Sequence, residues 1–277
     1  MLAKTTHRVI PDVVNLEYWF YPHVVDQLGQ LLAAISQFTV PEVRNLLLVT
    51  FSGILRRVSL ADPRISVPVR LRPERLTEKE NIRGRAHARI RQLKRVSVVS
   101  EFFRTLNDNI SRVKELGRQP KSLGTLWNIY ADAKQLTTAD GLASQRAKSV
   151  QLIITSPPYL GAQKYIRASS LSLGWLNLCR SDELRSHEQR SIGREHFYKE
   201  EYEGVKETGL PEADRLLRKV REKNPLRAHI ASTYLLEMKA AISEMKRVLK
   251  PNGFLVLVAG SNLLCGRRFD TPAYLQQ

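Results

Sequence analysis

Val150-Gln-Leu-Ile-Ile-Thr-Ser-Pro-Pro-Tyr159 is the decisive stretch of this chain. Its first six residues are almost wholly apolar or β-branched, the composition of a strand buried on both faces of a parallel sheet. The Pro-Pro pair then ends it, because neither proline has an N–H to give to a ladder. A second such run, Phe254-Leu-Val-Leu-Val-Ala259, follows a helical stretch with Leu235, Met238, Ile242, Met245 and Leu249 on one face. Pro251-Asn-Gly253 reads as the turn between that helix and that strand. Leu126-Trp-Asn-Ile-Tyr130 reads as a third, shorter strand. Strand, crossover helix and strand together predict an α/β fold, a partial Rossmann-like sheet over residues 121–277. Within it, the charged and Gly/Pro-punctuated residues 181–227 are expected to form a surface insertion with short helices.

Working outward, residues 1–120 read as a large helical region. Leu16, Phe20, Val24, Leu28, Leu31 and Ile35 recur at three- and four-residue steps, with Pro22 placing the helix start after it. Pro41 suits the first turn of a second helix carrying Val43, Leu47, Ile54, Leu55 and Val58. Pro63, Pro68 and Pro73 break up an extended basic stretch. A single long helix is then expected from Ile82 to Val113, with Arg85, Arg89, Arg91, Lys94 and Arg95 off its apolar face.

Charge narrows the class of partner. The 277 residues include 44 Lys and Arg against 27 Asp and Glu, a formal net charge of +17. Eleven of those cations lie between Arg64 and Arg95, against Glu74, Glu78 and Glu80. Such a surface suits a polyanion, and DNA is the expected one, with the Arg85–Arg95 face meeting phosphates. The 43% hydrophobic content excludes wholesale disorder, and no apolar run is long enough to span a membrane. The first residues lack the pattern of a secretory signal. Cys179 and Cys265 are far apart, so a reducing, cytoplasmic setting is expected, and the six histidines show no ligand spacing, so no metal is assigned.

Ser156-Pro157-Pro158-Tyr159 carries the chemistry. In open α/β sheets ligands bind at the carboxyl ends of strands, and the tetrapeptide lies at one. Two prolines fix the backbone and leave carbonyl oxygens as acceptors; Ser156 adds a side-chain oxygen and Tyr159 a flat ring. That set fits a planar ring bearing an exocyclic amine. Such an amine is a weak nucleophile because its lone pair is delocalised into the ring. Acceptors on both N–H bonds favour a tetrahedral nitrogen, and alignment with an electrophilic methyl group supplies the orientation part of catalysis. In a duplex the base must first leave the stack, and a tyrosine ring can hold it.

With these features the chain resembles the amino-methylating DNA methyltransferases, which modify cytosine N4 or adenine N6 with S-adenosylmethionine. Their catalytic motif is (Asp/Asn/Ser)-Pro-Pro-(Tyr/Phe), and Ser at the first position implies cytosine N4 ahead of adenine N6. Ile129-Tyr-Ala-Asp132 resembles the strand-end acidic position at the cofactor's adenosine half, and Lys246-Arg-Val-Leu-Lys-Pro-Asn-Gly253 resembles the helix–turn preceding a later strand. The resemblance covers about residues 125–277. It implies catalytic roles for Ser156, Pro157, Pro158 and Tyr159, and cofactor contact for Asp132 and Thr155. The family's Phe-x-Gly-x-Gly turn has no counterpart, since none of the fourteen glycines forms a Gly-x-Gly. With Asp132 ahead of the motif the order is the unpermuted one, so that turn is expected upstream of residue 1, lost or supplied by another chain.

Gln163-Lys-Tyr-Ile-Arg167 mixes an aromatic with cations, so Lys164, Tyr165 and Arg167 are further DNA-contact candidates. Trp175 and Leu176 are expected in the core. The expected function is methyl transfer from S-adenosylmethionine to a DNA base amine, in a restriction–modification setting that would add a cognate nuclease as partner. The rival reading is a non-catalytic DNA-binding subunit or remnant of such an enzyme. RNA or a protein glutamine is a third substrate class, and Ser156 in place of Asn counts against the glutamine enzymes.

Overall fold

The structure is a computed structural model that describes residues 7–76, 80–118, 131–136, 147–161, 164–204 and 206–277. The chain divides into two compact units, one of residues 1–123 with 165–187, the other of residues 124–164 with 188–277. Secondary structure is mixed α/β and mostly helical. The expected strand Leu126–Tyr130 lies outside the described residues.

In the first unit, α1 (Leu16–Trp19) is a single turn before α2 (Pro22–Ser36) and α3 (Pro41–Val58). Pro22 and Pro41 each occupy the first helical turn, where a missing N–H costs nothing. The single helix expected over 82–113 is two: α4 (Glu80–Leu93) and α5 (Val98–Leu116). The break has a local cause. Ser97 takes an extended backbone and its side chain accepts the Ser100 N–H at 3.2 Å, capping α5 and restarting the helix. Val24, Leu28, Leu31 and Ile35 of α2 meet Phe51, Ile54, Leu55 and Val58 of α3 and Val98 and Phe102 of α5 in one core.

That core is completed from far along the chain by α6 (Tyr165–Trp175). Trp175 is fully buried there, edge-on to Phe20 and to Phe51 with ring centroids 5.9 Å away in both cases. Ser52 and Ser172 hydroxyls meet at 2.9 Å. Residues 165–187 therefore belong with the helical unit, although a continuous sheet domain is expected from 121 onward. α7 (Leu184–Arg190) carries the chain from the first unit into the second.

The second unit is built on β1 (Val150–Thr155), α8 (Pro211–Lys223), α9 (Pro225–Val248) and β2 (Leu249–Leu257). β1 and β2 are parallel, pairing Leu152 with Phe254, Ile153 with Leu255, Ile154 with Val256 and Thr155 with Leu257. Pro251-Asn-Gly253, expected as the turn between helix and strand, instead lies within β2: α9 passes directly into β2 at Leu249, and the segment bulges between the Val150–Leu249 and Leu152–Phe254 pairs. Asn252 has φ 65°. A Cβ on Gly253 would stand 3.0 Å from the Lys250 carbonyl and 3.1 Å from that of Gln151, so any larger residue would have to push the backbone aside there.

The expectation that these strands are buried on both faces is corrected. Ile153, Leu255 and Leu257 are half-buried, but Leu152, Ile154, Phe254, Val256 and Val258 are exposed, Ile154 at 68% and Phe254 at 67%. Strand side chains alternate, so these five share one apolar, open face. The parallel sheet has two strands among the described residues, and a Rossmann-like sheet would need more.

Residues 181–227, expected as an insertion, are split between the units. Phe197 and, on α8, Ala213, Leu217 and Val220 are buried against Ala231, Tyr234, Leu235 and Met238 of α9 in the unit's core. The chain closes with a hairpin, β3 (Asn262–Leu264) and β4 (Arg267–Phe269), then α10 (Thr271–Leu275). Cys265 and Gly266 form its two-residue turn with φ 50° and 80°, the conformation that matches strand twist. Among the described residues no helix is long and apolar enough to cross a membrane.

Trp175→Ala should lower the stability of the first unit by about 3–5 kcal/mol through the cavity it leaves. Denaturant unfolding followed by the near-ultraviolet signal would show it, and an unshifted midpoint would contradict this packing.

Candidate functional site

β1 delivers the Ser-Pro-Pro-Tyr tetrapeptide at its carboxyl end, and the ladder holds it there. The Val258 N–H donates to the Thr155 carbonyl at 3.0 Å, the last ladder bond before the prolines. Pro157 is buried, Pro158 and Tyr159 half-buried, and Ser156 exposed. Leu160 is fully buried in the unit's core, and the Asn262 side-chain amide donates to its carbonyl. The tetrapeptide is thus fastened at both ends with its serine open to solvent.

The serine is weakly engaged. Its Oγ lies 3.3 Å from the Tyr159 hydroxyl and donates to the Val258 carbonyl at 3.4 Å, both long for O–H···O bonds. Ser156 Oγ, Tyr159 Oη and the Val258 carbonyl oxygen therefore form a small cluster of oxygens that an incoming N–H donor can enter by exchange. Sequence reasoning missed Val258. Its only signal there is that it directly follows the paired segment of β2.

Behind the prolines lies a charged relay that single residues in the sequence do not announce. Gly193, at φ 78°, comes close to the prolines: a Cβ there would stand 3.9 Å from that of Pro158 and 3.5 Å from the Tyr234 ring. Its N–H donates to Glu237 Oε2 at 3.3 Å. Glu237 Oε1 is 3.9 Å from Lys134 Nζ, which is 3.9 Å from Asp132 Oδ2. Burial pushes the Glu237 carboxyl above its ordinary value, opposed by the Gly193 N–H and by Lys134. Asp132 itself is exposed and caps a turn, accepting the Lys134 N–H at 2.8 Å. It is therefore tied through Lys134, Glu237 and Gly193 to the back of the tetrapeptide. A solvent-facing carboxylate in that position can accept from a ribose hydroxyl. Thr155 is half-buried, with its carbonyl used by the ladder.

Lys164 pairs with Glu195 at 3.3 Å, and Arg227 holds the other oxygen of the same carboxylate at 3.3 Å. This candidate cation is thus bound within its own unit. Tyr165 and Arg167, at the start of α6, are exposed in the first unit.

The basic helix divides in the same way. Arg85, Arg91, Lys94 and Arg95 are exposed. Arg91, Lys94 and Arg95 line an open cleft of about 620 Å³ together with Ser97, Ser100 and Glu101 of the α5 N-terminus, the Glu101 carboxylate pairing with Arg104 at 2.6 Å. A helix N-terminus beside three cations favours phosphate oxygens. Arg89 turns the other way: its guanidinium donates to the Arg57 carbonyl and, at 3.0 Å, to Gln92 Oε1. Burial pushes its pKa below the ordinary arginine value, and its guanidinium is held against its own unit. Earlier cations are also occupied: Arg64 pairs with Asp62 at 2.8 Å, and Arg70 sits 4.8 Å over the Tyr18 ring.

The histidines alone give no metal-ligand spacing. Among the described residues one mixed group, Cys179, Glu183 and His187, brings three potential ligand atoms within 4.8 Å of one another. Comparison with protein-family models, curated proteins and solved structures finds no match to this chain.

Because the folded Glu237 carboxyl is raised above its unfolded value, its contribution is most favourable below the ordinary carboxylate range and is lost as pH rises through the folded value. Glu237→Gln should therefore raise the melting temperature near pH 7 and lose that advantage below about pH 4. An equal shift at both pH values would remove burial as the cause.

Proposed function

We propose that this chain is the base-binding part of an S-adenosylmethionine-dependent DNA methyltransferase acting on an exocyclic amine, cytosine N4 ahead of adenine N6. The observation that carries the proposal is the solvent-open Ser156 oxygen at the end of a parallel strand, next to the Tyr159 hydroxyl and the Val258 carbonyl. An amine has two N–H bonds to satisfy. Ser156 Oγ accepts one and a backbone carbonyl, of Pro157 or Val258, accepts the other. Tyr159 stacks on the extruded base. The nitrogen lone pair is then localised and aimed at the methyl group, which is the chemistry the cofactor supplies when bound. No strong base is needed, since the proton leaves after the carbon–nitrogen bond forms.

The residues present suit one half of the cofactor. Asp132 offers a carboxylate for the ribose, while no Gly-x-Gly turn exists to admit the methionine half against the backbone. We place that turn on another polypeptide segment, and the exposed apolar face of β1 and β2 offers a surface on which a further layer can pack. Arg85, Arg91, Lys94 and Arg95 would hold the DNA backbone, leaving base recognition to other contacts. A second reading, a DNA-binding subunit without catalysis, is favoured by the missing glycine turn alone.

Ser156→Ala in the reconstituted enzyme should lower turnover by about 100-fold or more, the usual loss for one preorganised hydrogen-bonding partner, with DNA affinity within about twofold of the parent. Methylation at the normal rate would refute the serine's role. Transfer of a methyl group from S-adenosylmethionine to DNA by the reconstituted enzyme, lost with Ser156→Ala while DNA binding persists, separates the catalytic reading from the subunit reading. Reversing Arg91, Lys94 and Arg95 to Glu should weaken DNA binding and reduce the slope of log K against log salt by about one for each phosphate no longer neutralised. An unchanged slope would reassign the cleft to protein contacts.

A further inference from the structure

Cys179 and Glu183 lie in the turns that precede α7, and His187 lies on α7 itself. One ligand atom from each lies within 4.8 Å of the others. In a tetrahedral zinc site the ligands stand about 2.0–2.3 Å from the metal, and so roughly 3.3–3.8 Å from one another. Small side-chain rotations close the difference. The group is chemically mixed: zinc accepts a thiolate, an imidazole and a carboxylate, whereas hard cations such as magnesium favour only the carboxylate of the three.

We propose that Cys179 Sγ, Glu183 and a ring nitrogen of His187 bind one thiophilic divalent cation of the zinc class, with a fourth position left to water or an external ligand. The charge balances locally. On binding, the Cys179 S–H bond gives way to a sulfur–metal bond and the proton goes to solvent. Thiolate and carboxylate then neutralise the 2+ ion within the site itself.

The surroundings support the geometry. Cys179 is buried, with its thiol 3.2 Å from the Arg180 carbonyl, whereas Glu183 is exposed and His187 is intermediate, leaving an approach from solvent. The Arg180 N–H donates to Glu183 Oε2 at 2.9 Å, orienting the carboxylate. The Arg180 guanidinium is drawn away, its Nε lying 3.3 Å from Asp182 Oδ1. The Ser181 N–H donates to Asp12 at 3.0 Å, fastening the middle of the ligand segment to the start of the same unit. This site does not depend on the methyltransferase reading, and none of its ligands belongs to the proposed base pocket.

The test is titration of the metal-free, reduced full-length chain with Co2+ and then Zn2+. One equivalent of cobalt should bind with a thiolate-to-metal charge-transfer band, which zinc should abolish. Cys179→Ser should remove the band, Glu183→Gln and His187→Ala should each weaken binding about 10-fold or more, and Cys265→Ser should leave it intact. The absence of a charge-transfer band in the parent, or its loss with Cys265 rather than Cys179, would overturn the site. If Cys179→Ser does not fold, His187→Ala with a native circular-dichroism spectrum decides, and undiminished cobalt affinity in it overturns the proposal.

Discussion

Two consecutive prolines bring the β1–β2 ladder to a stop, and the site depends on that stop. Pro157 and Pro158 have no N–H, so neither can donate to a neighbouring strand. Thr155 is therefore the final residue of β1, and its carbonyl takes the Val258 N–H. Had pairing continued, Ser156 would be one more ladder residue. Instead it is exposed, and its oxygen stands near two others without a short bond to either. Leu160, buried immediately after, prevents the released segment from drifting.

The second unit surrounds this tip with charges that largely cancel. Asp132, Lys134 and Glu237 form one line, and Lys164, Glu195 and Arg227 another. The larger share of the positive excess lies in the first unit, where the exposed cations of α4 and of the cleft at the α5 N-terminus stand. On the proposed function, a division of labour follows from electrostatics. A polyanion's backbone needs unpaired cations, while a neutral base amine needs oxygens in a setting where no strong local field competes for them.

Much of this was legible because it is local. Pro22 and Pro41 mark helix starts, and the three- and four-residue spacing of Val24, Leu28, Leu31 and Ile35 marks the buried face. The strand at 150–155 follows from its apolar run and the prolines beyond. Other features were illegible for equally physical reasons. Apolar periodicity continues through residues 94–97, so the pattern hides the break that the Ser97 cap makes. Arg89 has the same side-chain chemistry as Arg85 and Arg91, and only the Arg57 carbonyl opposite it turns it inward. The alternation of exposed Leu152 and Ile154 around Ile153 cannot be read from a run in which all are apolar.

The sequence by itself determined that helices open at Pro22 and Pro41 and that β1 stops before the prolines, that the chain carries a large positive excess, and that an acceptor-rich Ser-Pro-Pro-Tyr tip follows a strand. These are properties of neighbouring residues, fixed by backbone φ, missing N–H groups and side-chain period. Only the tertiary structure decided that residues 165–187 leave the sheet unit to bury Trp175 between Phe20 and Phe51. The same holds for the link from Asp132 to Pro158 through Lys134, Glu237 and Gly193. Such contacts join residues tens to more than a hundred positions apart, and their partners are chosen by which surfaces fill the same space, a constraint that one-dimensional spacing does not contain.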